Sequence, residues 1–365
     1  MADILEQYTH VHFYFVIVVC ILGILANIST VIVLTRKSMR HSPVNVILTG
    51  LSGAQLLLLM NYTVYSFYAE TVKRQPCQLR WKTYSWLFYI LVNVNLGVIF
   101  HTIALVHTSL LAICRYLSIH FPTRNLVTAT GVTKAVVLTY FLVPLFCLTF
   151  FFNSKITEIG NRTDQIRNCS LFGGFELRYT SNTGLQEYNH WVFAICCKVF
   201  PCICLTVLSL LLIADLRKAQ LRQRRLKNQR TAESSQHLRT SIMLLIIVFF
   251  FIIVELPLGI LTAVVTLEPD FKEAYDSLGQ FFEMLTVLYS SINFVLYCTM
   301  SGQFRKTFAQ VFLAYLPCHK PLSIAEEPAP RVHHKHPQET GALLMTSTLG
   351  GVKLNTETGA AGQEV

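Results

Sequence analysis

The residues with the most chemistry in this sequence sit where charge is least welcome. His101 lies in "GVIFHTIALV", Lys198 in "ICCKVFPC", Glu255 in "FIIVELPL" and Glu283 in "GQFFEMLTV", each among apolar neighbours. A charge buried in such surroundings must meet an opposite charge, a hydrogen-bonding group or a ligand that supplies one. Arg115, followed by Tyr116, closes another apolar run in "LAICRYLSIHFP". Three amides, Asn27 in "GILANIST", Gln55 in "LTGLSGAQLLLL" and Asn293 in "SSINFVLYCTM", are fitted to bond between helices where no water competes. Catalytic spacing is missing: there is no GxxxxGK[ST], HExxH, GxSxG or dinucleotide-binding glycine fingerprint. The chemistry on offer is ion pairing and hydrogen bonding, with no enzyme activity, cofactor or metal site expected.

The elements that position these residues follow from hydropathy. The chain is 53% hydrophobic and only 14% charged, whereas a soluble protein carries about a quarter of its residues charged. A helix needs about 20 mostly apolar residues to cross the hydrocarbon, and seven stretches qualify, near 11–35, 44–67, 84–114, 132–152, 190–216, 239–266 and 278–299. The fold expected is an all-α membrane protein, a seven-transmembrane-helix bundle. The first stretch is preceded by Asp3 and Glu6 without Lys or Arg, the reverse of a signal peptide's basic start, and is read as a retained helix. Lysine and arginine gather at 36–40 and 217–239, which sets those loops inside and the N-terminus outside. One loop dissents, with Lys73, Arg74, Arg80 and Lys82 on the outer side. The net charge of +10 therefore belongs beside anionic membrane lipids, and no nucleic-acid motif accompanies it.

The domain reading is an outer N-terminal segment 1–10, the membrane domain 11–299, a short amphipathic eighth helix 300–318 and a disordered inner tail 319–365. The eighth helix is read from Phe304, Phe308, Val311 and Phe312 at helical spacing, with Cys318 at its end as a palmitoylation candidate. Most of the 11 cysteines fall in or beside spans and act there as small apolar groups. Cys77 and Cys169 remain for the oxidising exterior and form the expected disulfide. Sequons at Asn161 and Asn168 share that outer loop, while those at Asn27 and Asn61 lie within spans and are expected to go unused.

Along essentially all seven spans the chain resembles the rhodopsin-like G-protein-coupled receptors. The matching residues are Asn27, the Arg115-Tyr116 pair, Pro201, Pro257 and Asn293-Phe294-x-x-Tyr297. The resemblance implies a plasma-membrane, multi-pass receptor that meets an extracellular ligand on one side and a heterotrimeric G protein and arrestin on the other. It implies that Arg115 and Tyr116 face the G protein, and that Pro257, Asn293 and Tyr297 help rearrange the helices. A narrower likeness, carried by "KVFPCICLTVLSLLLI", "VELPLGIL" and "SSINFVLYCTMSGQFRKTF", is to invertebrate myosuppressin-type, FMRFamide-like and sex-peptide-type neuropeptide receptors. That likeness implies an amidated peptide ligand and mainly inhibitory G proteins. Departures from the family pattern are informative. Cys114 stands where an acid usually restrains the arginine, and His237 where span six often offers another. Gln55 replaces the aspartate that coordinates sodium in many relatives, so no sodium-dependent allostery is expected there. Glu255 replaces a tryptophan, and Ile90 lies near the usual cysteine at the top of span three.

Counting helical turns from Arg115, Pro201, Pro257 and Asn293 puts His101, Lys198 and Glu255 at one depth, with Glu283 nearly three turns outward of Asn293. Two readings of Glu255 stand side by side: a structural pair with Lys198 completed by His101, or an acceptor for the arginine of an Arg-Phe-amide peptide. Glu283 is favoured as a ligand contact, with Phe282, Phe281, Tyr289 and Trp86 as seats for an aromatic terminus. The competing functions are a heptahelical decoy or dimer partner that does not signal, and a small-solute or proton transporter using Glu255, Lys198 and His101.

Overall fold

The side chains that this protein turns outward are its apolar ones. Leu22, Phe141, Leu145, Phe249 and Val295 are exposed, while Asn27, Gln55, His107, Glu255 and Asn293 are buried. A soluble protein does the opposite; hydrocarbon rewards an apolar rind and forces polar groups to bond within the protein. The computed structural model describes residues 2–75, 82–121, 126–164, 169–225 and 232–313. Among them, seven helical segments are long and apolar enough to cross a membrane: His12–Leu34, Pro43–Arg74, Tyr84–His120, Ala129–Asn153, Thr183–Lys218, Leu245–Leu267 and Phe281–Thr299.

In chain order the elements are α1 (Ala2–Leu34), α2 (Pro43–Arg74), α3 (Tyr84–His120) and α4 (Ala129–Phe146), the last running on as a 3-10 stretch Cys147–Asn153. An antiparallel hairpin, β1 (Ser154–Asp164) and β2 (Cys169–Tyr179), follows. Span five is α5 (Thr183–Trp191), a π-helical stretch Val192–Val199 and α6 (Phe200–Arg225) in one continuous rod. Span six lies in α7 (Ala232–Leu267), span seven in α8 (Lys272–Met300), and α9 (Gly302–Phe308) comes last. Local sequence explains the starts. Pro43 opens α2 in the first turn, where its missing N–H is not needed. The side chains of Thr128, Asn182 and Ser301 accept from the free N–H groups of Gly131, Leu185 and Phe304.

Several boundaries differ from the expected ones. The helix of span three runs to His120 rather than 114, since "RYLSIH" contains no breaker and the first obstacle is Pro122. Arg115 thus sits within the helix. Helix α1 already begins at Ala2, so the segment expected to precede the first helix is part of it, and α2 extends to Arg74. The inner ends of α6 and α7 project beyond the apolar core, as their helix-forming composition implies.

The amides do the joining foreseen for them. Asn27 Nδ2 donates to the Ser290 carbonyl across to span seven at 3.0 Å. Asn293 Nδ2 donates to Gln55 Oε1 at 2.7 Å, linking spans seven and two. Asn61 and Asn93 clasp spans two and three, Asn93 Nδ2 to Asn61 Oδ1 at 2.9 Å and Asn61 Nδ2 to the Asn93 carbonyl at 3.0 Å. Asn61, one of the sequons expected to go unused, is thus engaged inside the bundle. Span one approaches span seven closely because Gly23 has no side chain: a Cβ there would lie 2.2 Å from Ser291 Oγ and 2.8 Å from Leu59 Cδ1. At the inner end Phe304 is buried against Phe294 and Tyr297, ring centroids 5.9 and 5.6 Å apart, and Phe308 and Phe312 continue that stripe.

The hairpin was not foreseen. "FELRY" alternates in the strand manner and "SKITEI" is rich in β-branched residues, a signal hidden beside the much stronger helical ones. Its register pairs Lys155 with Arg178 and Glu158 with Phe175, then shifts about Gly160. Gly160 and Gly173 take φ of +67° and +69°, values that suit glycine alone. The Phe175 N–H donates to the Lys82 carbonyl at 2.9 Å and its ring meets Tyr84 edge-on at 5.8 Å. These contacts moor the hairpin at the outer end of α3. Cys77, Asn168, Cys318 and the tail from 319 lie outside the described residues. The expected Cys77–Cys169 bridge lies outside them too, although the backbone of Cys169 opens β2 and that of Asn161 lies in β1.

Overfilling a packed contact costs about 1–3 kcal/mol. Gly23→Val is accordingly expected to lower the melting temperature of the purified protein by several degrees, read by fluorimetry in detergent. Gly279→Ala, whose added Cβ meets nothing within 4 Å, is expected to leave it unchanged or slightly raised.

Candidate functional site

Construction of the site begins at Pro201. Proline has no N–H to donate and its ring crowds the carbonyl four residues earlier, here that of Cys197. The helix relieves the crowding by widening upstream, with the Phe200 N–H reaching back five residues to the Ile195 carbonyl. Such π turns recur at functional sites because they re-aim a side chain. The side chain re-aimed here is Lys198, the penultimate residue of the π stretch. Opposite it, span six carries Glu255, Pro257 and Gly259 in "VELPLGIL". A Cβ on Gly259 would lie 2.7 Å from Lys198 Cβ, so glycine is what lets the two helices close on each other.

The result is a buried triad. Lys198 Nζ donates to Glu255 Oε2 at 2.5 Å. His101 Nε2, from span three, lies 3.1 Å from Lys198 Nζ and 3.1 Å from Glu255 Oε2. One ring nitrogen cannot serve both at once: with Nε2 bare it accepts from lysine, and with Nε2 protonated it donates to glutamate. Lys198 also lies over the Phe193 ring, 5.2 Å from its centroid. Glu255 is 0% and Lys198 3% exposed. Spans five and six are therefore joined by charge at the centre of the bundle and span three by a hydrogen bond, so lysine and glutamate each find a partner from within.

Glu283 differs in every respect. It is exposed on span seven, takes a hydrogen bond from Tyr62 Oη at 3.1 Å, and pairs with no cation among the described residues. Outward of Tyr62 an aromatic wall rises from spans two and three. Tyr68 stacks on Trp86 at 5.0 Å and 28°, and Tyr89 packs edge-on against both at 5.6 and 6.0 Å. Phe282 contacts Phe281 at 5.8 Å. Tyr289 is buried one to two turns further in. A carboxylate and the faces of aromatic rings each attract positive charge, and both lie on this side of the triad.

At the inner end Arg115 is only 8% exposed and has no ion pair among the described residues, with uncharged Cys114 beside it. Tyr297 is buried against Phe304, and Asn293 holds Gln55. Two amides are bonded to each other here, and neither position carries a carboxylate. Among the described residues no group of three or more His, Cys, Asp or Glu could hold a metal. The structure thus brings His101, Lys198 and Glu255 into contact, keeps Glu283 and Phe282 outward of them, and sets Arg115 and Tyr116 at the opposite end. Sequence reasoning missed Tyr62 as the partner of Glu283, since one tyrosine among 15 carries no signal in its spacing.

The sequence profile of the serpentine type 7TM GPCR chemoreceptor Srw family matches residues 12–314. The chain belongs to that family. It is a multi-pass membrane protein and a G-protein-coupled receptor rather than an enzyme. Relatives agree with the narrower likeness. The chain is 28% identical to the G-protein coupled receptor dmsr-1 of Caenorhabditis elegans, over 86% of this chain and 70% of that one. It is 28% identical to the sex peptide receptor of Drosophila melanogaster, over 83% and 72%. It is 26% identical to the FMRFamide receptor of the same fly, over 81% of this chain and 52% of that receptor.

Breaking a buried ion pair by removing one partner costs about 3–5 kcal/mol, whereas replacing both by apolar groups is often neutral. Lys198→Met and Glu255→Leu are each expected to depress thermal stability and surface expression sharply. The double variant is expected to recover most of both. A double variant as poor as the sum of the singles would show that the pair is not the unit of stability.

Proposed function

We propose that this receptor sits in the plasma membrane with its N-terminus outside and answers an extracellular neuropeptide of the amidated Arg-Phe, FMRFamide-like kind. It signals mainly through inhibitory G proteins, with arrestin as a second inner partner. The observation that carries the ligand reading is the carboxylate of Glu283, exposed and without a paired cation among the described residues, beside an aromatic wall. An arginine followed by a phenylalanine amide presents a guanidinium for the first and a ring for the second. The names of the relatives, a sex peptide receptor and an FMRFamide receptor, support a peptide. Within this reading Glu255 holds the bundle with Lys198 and His101, and Glu283 meets the ligand. The Cys77–Cys169 bridge, glycans at Asn161 and Asn168 and palmitate at Cys318 complete the mature protein.

Cyclic AMP suppression in cells expressing the chain, screened with amidated Arg-Phe peptides, tests the coupling. One or more peptides are expected to suppress it, and Arg115→Ala to abolish the effect at equal surface level. Silence across the panel with the receptor at the surface would remove the inhibitory Arg-Phe-amide reading.

Glu283 is tested separately by substituting the peptide as well as the receptor. A hydrogen bond to a charged group contributes about 1.5–3 kcal/mol. Glu283→Gln is therefore expected to weaken the arginine peptide by about ten- to a hundredfold and to leave its citrulline analogue nearly unchanged. Equal losses for the two peptides would rule out direct contact.

A further inference from the structure

The inner end of the bundle carries a histidine–aspartate contact that the receptor reading does not use. His120, the last residue of α3, places Nδ1 2.7 Å from Asp215 Oδ2 on α6. Asp215 is the sole acid in α6, which from Arg217 onward is strongly basic. The nearest of those bases, Lys218, lies 3.8 Å from its other oxygen. The carboxylate therefore reaches across to span three at a shorter distance than to its own helix. Its side chain is 14% exposed and that of His120 is 41% exposed. The imidazole is also gripped on its own helix: Tyr116 stacks on it at 5.1 Å and 22°, and Phe121 meets it edge-on at 4.6 Å. A continuous contact thus runs from the residue beside Arg115 through His120 to span five.

Two absences among the described residues give this contact its importance. Arg115 has no ion pair there, and the residue before it is Cys114, which is uncharged. Among the described residues, the contact that ties span three to a carboxylate at that junction is the one five residues further on. We propose that His120 and Asp215 form the resting-state restraint of the inner face, holding the ends of spans three and five together and keeping Tyr116 and Arg115 in their inactive placement. Docking of the G protein, which this inference takes from the receptor reading, releases it. His120 and Asp215 are positioning residues: they act through Tyr116 and Arg115.

The test needs no ligand. Membranes carrying the full chain are mixed with purified heterotrimers of each G-protein class, and spontaneous nucleotide exchange is measured at matched receptor levels. His120→Gln and Asp215→Asn are each expected to raise exchange by about two- to fivefold, in keeping with a partly exposed pair. The double variant is expected to rise no further, because one interaction is lost only once. Asp215→Glu, which keeps the charge, is expected to stay near wild type. Asp215→His supplies a second imidazole, and zinc, a ready ligand of paired imidazoles, is expected to lower its exchange while leaving wild type unaffected. A purely structural role predicts the opposite pattern, with reduced exchange or reduced surface level in both single variants and no zinc effect. Exchange by wild type that neither single variant raises would overturn the restraint and leave the receptor reading standing. No exchange from any variant with any heterotrimer would overturn both.

Discussion

Charge in hydrocarbon has to be answered, and the centre of this molecule is arranged around that requirement. Lys198 and Glu255 are nearly inaccessible and lie 2.5 Å apart, a separation that tolerates little displacement of either helix. Pro201 forces the π turn that aims the lysine, and Gly259 removes the side chain that would hold spans five and six apart. His101 adds span three to the same oxygen. Each of these residues looks unremarkable by itself, yet all serve a single contact. Such a pair gives little net stability; what it gives is register, since only one alignment of three helices brings the atoms together.

The charges that are not answered within the bundle are as informative as those that are. Among the described residues Glu283 at the outer mouth has only a tyrosine hydroxyl, and Arg115 at the inner end has no acid. Between them every buried amide or charge discussed here has a partner across a helix boundary, from Asn61–Asn93 through the triad to Asn293–Gln55. An unanswered charge is tolerable at an end of the bundle, where water or a partner reaches it, and costly in the middle. The distribution is that of a molecule closed along its length and open in chemistry at its two faces, which suits a receptor with one partner on each side.

Much of this was legible in the sequence, for identifiable reasons. The seven spans are set by length and hydropathy, quantities local to each stretch. Counting turns between prolines and polar residues put His101, Lys198 and Glu255 at one depth, because a helix advances uniformly, but left their pairing open beside a ligand-binding reading of Glu255. Helix ends were less legible: the third span was expected to stop at 114, yet nothing in "RYLSIH" breaks a helix before Pro122. The hairpin of β1 and β2 escaped because its alternating pattern is short beside the long apolar runs. Contacts such as Tyr62 with Glu283, 221 positions apart, or His120 with Asp215, 95 apart, have no periodic signature. Only the packed bundle decides which faces meet.

The kinds of contact are not spread evenly around the bundle, and the difference bears on how it transmits a signal. Spans one, two and seven meet mainly through Gly23 against Ser291 and Leu59 and through the amides of Asn27 and Asn293, with Tyr62–Glu283 a charged contact among them. Spans three, five and six meet through ionisable side chains, at the triad and again at His120–Asp215. A glycine contact is steric and has no competitor: a ligand cannot replace a missing Cβ. A charge pair is exchangeable, because another cation or carboxylate can take one member's place, and a ligand shifts an equilibrium only through interactions that differ between its two states. Apart from Tyr62–Glu283, the exchangeable contacts lie on the side of the bundle that holds Arg115, and the fixed ones on the side that holds Asn27. The first group, together with Glu283 and Tyr62 at the far end of spans seven and two, therefore has a physical means of responding to a charged partner, while the contacts around Gly23 supply the frame against which it moves.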